Sequence, residues 1–113
     1  MNARQIASTR MANQQIELSA CTTSSEVVGH LTAVQAQDYR GALWSIGLRL
    51  PGSTVAQVER AIAERTIVRT WPMRGTLHFV AAADVRWMLR LLTPRKRQDD
   101  ECQEAGFGEH CFR

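Results

Sequence analysis

Two glutamines, Gln35 and Gln37, stand one residue apart in the stretch HLTAVQAQDYRGALW, residues 30–44. An uncharged amide donates and accepts hydrogen bonds but does not titrate, so its chemistry is positioning rather than strong acid–base work. The spacing sets a geometric condition. On a helix, residues i and i+2 diverge by about 200° because each turns the chain by about 100°. In an extended segment the same two side chains share a face. A joint role therefore requires that the helix end near Val34 and that QAQ run extended. The alternative is that the pair merely bridges two helices and bonds the backbone groups left open at their ends.

A second group of candidates lies in RTWPMRGTLHF, residues 69–79. Arg69 and Arg74 carry guanidinium forks suited to phosphate, or else to a solvated surface. Trp71 between them could stack on a base or wedge into a duplex, and core packing is its plainer reading. His78 could orient a water or meet a phosphate, or be a satisfied structural residue. Arg40, beside the glutamine pair, has the chemistry of a phosphate ligand, whereas Asp38 reads as a helix N-cap.

Composition bounds these readings. The chain has 113 residues, 44% of them hydrophobic, with a formal net charge of +3. That suits one small domain with a modest core. The charge is uneven: residues 61–97 hold eight basic side chains against Glu64 and Asp84, and residues 98–113 hold five acids against Arg113. A basic block of this kind suits a polyanion such as nucleic acid, or forms a solvated arginine-rich face. Three cysteines without CxxC spacing predict reduced thiols and a cytoplasmic location. Cys102, His110 and Cys111 lack a fourth partner, so no metal site is expected. No apolar run is long enough to span a bilayer, and no membrane partner is expected.

The elements that must position these residues are mainly helical. A short helix is expected around Thr9–Ile16. Thr23 and Glu26 have capping-box spacing ahead of Val27, Val28, Leu31 and Val34. Asp38 opens a helix burying Leu43, Ile46 and Leu50, stopped by Pro51-Gly52. Thr54 and Gln57 open another, with Val55, Val58, Ala61 and Ile62 along one face. TIVRTW and RGTLHFV then read as a β-hairpin separated by Pro72 and Met73, one face of it packed on helices and the other turned to solvent or a ligand. ADVRWMLRLL returns to helix, with Trp87, Met88, Leu91 and Leu92 as core. The expected fold is mainly α with a small β-hairpin, a winged helix spanning residues 1–94. Residues 95–113 are expected to be a disordered tail or a truncated continuation.

AVQAQDYRGALW, followed by IVRTWPMRGTLHFVAAADVRWML, resembles the N-terminal part of the AlkZ-like winged-helix DNA glycosylases. The resemblance runs from about Arg10 to Pro94. It implies hydrolysis of the N-glycosidic bond of alkylated or crosslinked purines in double-stranded DNA, with no metal or organic cofactor. The family's catalytic motif, glutamine–apolar–glutamine or glutamine–apolar–acid, falls on Gln35, Ala36 and Gln37. Arg40, Arg69 and Arg74 would then hold phosphates, with Trp71 and His78 also facing DNA. Family members are generally longer, so the chain resembles an opening module whose partners include downstream winged-helix domains. Two rivals stay open: a winged-helix protein that contacts DNA without chemistry, and a structural module packed against further domains. The helix before the hairpin pairs Glu59 and Glu64 with Arg60 and Arg65, which makes it a poor groove reader and disfavours a sequence-specific transcription factor.

Overall fold

The structure is a computed structural model and describes residues 1–92; the expectations for 95–113 lie outside the described residues. α1 (Ala3–Asn13) starts earlier than its apolar pattern suggests. Its signal is a capping box, in which Gln5 N–H donates to Asn2 Oδ1 and Asn2 N–H donates to Gln5 Oε1, both at 2.9 Å. α1 buries no residue, so periodicity could not have located it.

α2 (Ser24–Leu31) opens on the expected Thr23–Glu26 box and buries Val27 and Val28. It stops where Thr32 takes a positive φ of 70°. A β-branched residue pays steric strain there, on the order of 1–3 kcal/mol, that only a determined surrounding structure sustains. That break turns the chain into a strand, β1 (Val34–Gln35), short of the glutamine pair's end.

α3 (Tyr39–Leu48) is capped by Asp38, whose Oδ1 accepts from Gly41 N–H at 3.2 Å. A Cβ on Gly41 would sit 2.6 Å from the other oxygen of that carboxylate, so a larger residue there would require the Asp38 carboxylate to turn. α4 (Val55–Ala63) opens on the Thr54–Gln57 box. Val58 is its buried residue and Val55 is exposed, which narrows the expected apolar face.

β2 (Ile67–Met73) and β3 (Thr76–Ala81) form the hairpin, and β1 pairs on the far side of β3, giving an antiparallel sheet in the order β1-β3-β2. The third strand was not foreseen as a strand. The turn also differs from expectation: Pro72 and Met73 lie inside β2, and the chain reverses at Arg74-Gly75, with φ of 53° and 65°. Two positive φ values in a two-residue loop suit the twist of a hairpin, and glycine supplies the second without strain. Pro72 is buried where the β2–β3 register is irregular, between Thr70 and Met73, a place that spares its missing N–H.

Helices and sheet share one core, with Val27, Val28, Leu43, Ile46, Val58, Ile67 and Phe79 in a single cluster that also takes in Val34 and Ala36. α5 (Val85–Leu92) packs against β2. Val80 is therefore buried rather than turned to solvent. Of the four apolar residues expected from α5 in the core, only Met88 is buried; Trp87, Leu91 and Leu92 are exposed, and Trp87 Nε1 donates to Asp84 Oδ1 at 2.7 Å. Mainly helical, with a small antiparallel sheet entered by a hairpin, the chain has the expected fold class. No described helix is long and apolar enough to cross a membrane.

Among the described residues Arg49 is the buried charge. Its Nε donates to Gln14 O at 2.7 Å and its Nη1 to Ser45 O at 2.7 Å, tying the chain after α1 onto α3. His30 Nε2 meets Asn13 O at 3.2 Å nearby. Burial without a charged partner among these bonds lowers the guanidinium's proton affinity. Arg49→Ala should leave the Gln14 carbonyl unmet and lower stability by about 2 kcal/mol, since bonds to charged groups are the stronger ones. In a domain of this size that is a fall in Tm of about 8–16 °C. Amide exchange should accelerate across residues 3–13 in the same variant, and an unchanged melting curve would refute the role.

Candidate active site

The condition set by the glutamine spacing is met. β1 carries Gln35, and Ala36 N–H donates to Leu77 O at 2.8 Å, so the extended course continues past the strand's formal end. Burial along the motif alternates: Gln35 is exposed, Ala36 is fully buried and Gln37 is exposed. Both glutamines therefore leave the backbone on the side away from the core. The apolar middle residue is the anchor.

The two amides are not equivalent. Gln37 Oε1 accepts from Leu77 N–H at 3.2 Å. Only the carbonyl end can meet a backbone N–H, so the Gln37 NH2 is the end left to face outward. Gln35 makes no side-chain hydrogen bond among the described residues, and both ends of its amide are free.

His78 is the neighbour of Gln35. The two are register partners across β1 and β3, and Thr70 pairs with His78 on the other side. Directly opposed residues in an antiparallel pair lie within about 4.5–5.5 Å at Cβ and point to the same face. His78 Nδ1 lies 2.8 Å from Thr76 O, and a carbonyl can only accept, so Nδ1 carries the proton. In the neutral ring Nε2 is then the acceptor, on the same face as Gln35.

Arg69, expected at a phosphate, engages the backbone within the protein. Its Nε and Nη2 donate to Ala36 O at 3.1 and 2.7 Å. Its guanidinium carbon lies 5.3 Å from the centre of the Tyr39 ring, which in turn lies 6.1 Å from Phe79, tilted by 57°. Tyr39 and the Ala36 carbonyl are the residues that sequence reasoning missed. The YR pair after an N-cap offers a ring, but nothing in the sequence pairs it with an arginine thirty residues on.

The remaining candidates have no side-chain partner among the described residues. Arg40 is exposed in the first turn of α3, Arg74 is exposed at the hairpin turn, and Trp71 is 62% exposed on β2, which rules out core packing for it. Trp44, 68% exposed on α3, was not singled out from sequence. Asp38 is occupied as the cap. Among the described residues no His, Cys, Asp and Glu cluster could hold a metal. A cleft of about 630 Å³ opens between the start of α2 and α4, lined by Cys21, Ser24, Gln57, Arg60 and Thr66 among others. It shares no lining residue with the glutamine segment, and several of its hydroxyls and amides serve as helix caps.

Comparison with known proteins places the chain in a family. The family model for DNA glycosylase AlkZ-like proteins matches residues 28–111, running beyond Pro94. An interstrand DNA cross-link repair glycosylase from Streptomyces sahachiroi is 35% identical over 89 residues, covering 79% of this chain and 24% of the relative. The solved structure of the Streptomyces sahachiroi DNA glycosylase AlkZ matches with a TM-score of 0.62 and 36% identity, over 72% of this chain and 22% of that one. The chain thus spans about a quarter of the length of the relative it matches. With the family model matching most of its length, the chain belongs to the AlkZ-like DNA glycosylase family.

Proposed function

We propose that this chain is the part of a monofunctional DNA glycosylase that carries the hydrolytic glutamines, acting on alkylated or crosslinked purines in double-stranded DNA. The observation that carries the reading is the exposed pair, Gln35 and Gln37, on one side of a strand with His78 beside it. An N7-alkylated purine already bears positive charge, so its departure needs little acid help. What the site must supply is a placed water and a steady field for the sugar's developing charge. Gln35 Oε1 and His78 Nε2 are acceptors that orient a water's hydrogens, turning a lone pair toward the sugar carbon. The outward NH2 of Gln37 donates to the same water. Amides do this without the desolvation penalty a carboxylate pays when DNA closes over the site.

Arg40 and Arg74, both exposed, are the phosphate ligands in this reading, and Trp71 is the ring offered to a base. α4 carries Glu59 beside Arg60 and is not the groove reader. A second reading, DNA contact without chemistry, draws support from the openness of the glutamines: nothing described covers them. Release of base from an N7-alkylated duplex separates the two. Release above the uncatalysed rate supports hydrolysis; binding without release supports the second reading. In either case Arg74→Ala should weaken binding across sequences and reduce the slope of log K against log salt by about one, the share of one phosphate. A slope that does not change would remove Arg74 from the phosphate set.

A further inference from the structure

We infer that Arg69 is a positioning residue that sets the orientation of the Gln37 side chain by holding the Ala36 carbonyl out of the sheet. The inference rests on the ladder between β1 and β3. Val34 pairs with Phe79 and Gln35 with His78, so Ala36 falls opposite Leu77. A regular antiparallel ladder would let these two exchange both backbone bonds. Only one is made: Ala36 N–H donates to Leu77 O at 2.8 Å. The other is replaced on both sides. The Ala36 carbonyl accepts two donors of Arg69, at 3.1 and 2.7 Å, and Leu77 N–H donates to Gln37 Oε1 instead.

The two substitutions are linked. Leu77 N–H is available to Gln37 because Arg69 has engaged its ordinary acceptor. Take the guanidinium away and the Ala36 carbonyl is open to its ordinary ladder partner, Leu77 N–H, closing the rung and expelling the Gln37 amide. The guanidinium is itself set in place, lying against Tyr39, whose ring packs on Phe79. A planar fork with a stacked face does this fully, and an unstacked lysine ammonium only in part. Arg69 thereby selects which end of the Gln37 amide faces outward, without touching a ligand.

The consequence for base release rests on the proposed glycosylase reading; the switch of hydrogen-bond partner does not. In isotope-labelled protein, the scalar coupling across the hydrogen bond from Leu77 N should run to the Gln37 side-chain carbon. In Arg69→Ala it should run to the Ala36 carbonyl carbon, with the Gln37 NH2 signals moving to a free position. Arg69→Lys should leave those signals part-way between the two. A coupling that stays with Gln37 in a folded Arg69→Ala protein overturns the inference, and so does unfolding of both variants, which would make Arg69 a packing residue. For base release, Arg69→Ala should lower the rate at saturating DNA by about tenfold, the cost of a misplaced catalytic group at the lower end. The salt slope of DNA binding should not change. A slope reduced by about one would return Arg69 to the phosphate set and overturn the inference. If the parent protein releases no base, the glycosylase reading fails while the coupling still decides the role of Arg69.

Discussion

Gln35→Ala should slow release of an N7-alkylated purine by about a hundredfold at saturating DNA, near the effect of removing one preorganised hydrogen-bonding group. Its melting temperature should stay within about 2 °C of the parent, because an exposed surface substitution seldom costs more than about 0.5 kcal/mol. Activity and stability separate here because the Gln35 amide is exposed and makes no protein hydrogen bond among the described residues. Gln37 should behave differently. Gln37→Leu removes the outward NH2 and also the acceptor of Leu77 N–H. It should lose a similar factor in rate and, in addition, about 1 kcal/mol of stability for the unmet backbone donor. Gln37→Glu keeps an oxygen for Leu77 N–H and should melt like the parent. It lacks the outward NH2, so its rate should fall about as far as that of Gln37→Leu. The double variant Gln35→Ala/Gln37→Ala should be little slower than the worse single one if both amides hold the same water, as groups acting as a unit are not additive. Base release by the double variant at the parental rate would end the catalytic reading of the pair.

The positions that could be read from sequence are those governed by local rules. Thr23, Asp38 and Thr54 cap their helices as their side chains and following residues predict, because a cap is decided within four residues. The extended course of QAQ was legible as a condition of shared work, though not as a third strand, since a two-residue pairing leaves almost no periodic trace. The hairpin was legible and its turn was not. Pro72 looks like a turn residue, yet Arg74-Gly75 has the backbone freedom the reversal needs. The site was half legible. Gln35, Gln37 and His78 could be nominated one at a time by chemistry, but the β1–β3 register that puts Gln35 beside His78 is a non-local fact. Arg69 shows the limit most clearly. Its chemistry suits phosphate, and only the fold reveals that a buried backbone oxygen competes for the same fork. α5 erred in the other direction: helical spacing of Trp87, Leu91 and Leu92 announced an amphipathic face, and the described sheet covers only its Met88 side.

Phe79→Ala should be the most destabilising single change, because one side chain joins the core to the segment that bears the glutamines. Phe79 is fully buried, paired with Val34 on one side and Arg69 on the other, and its ring supports Tyr39. Truncating a buried phenylalanine costs about 3–5 kcal/mol through lost transfer energy and the cavity left behind. Domains of this kind have only about 5–15 kcal/mol in total, so a large part of the population should be unfolded at moderate temperature. Urea titration at 25 °C should show the midpoint falling with the slope unchanged, as a loss of stability without a change in exposed area requires. A cost under about 1 kcal/mol would mean that this cluster is not what holds the sheet. Phe79→Leu tests the second half of the argument. It keeps apolar volume, so the loss should be about 1–1.5 kcal/mol and the protein should stay folded. The flat ring beneath Tyr39 is nevertheless gone, and with it the platform on which the Arg69 guanidinium lies. The Gln37 side-chain signals should then shift in Phe79→Leu toward their position in Arg69→Ala, although Phe79 touches neither glutamine in the hydrogen-bond network. Stability that falls while those signals stay fixed would show that Arg69 holds the Ala36 carbonyl without its aromatic support.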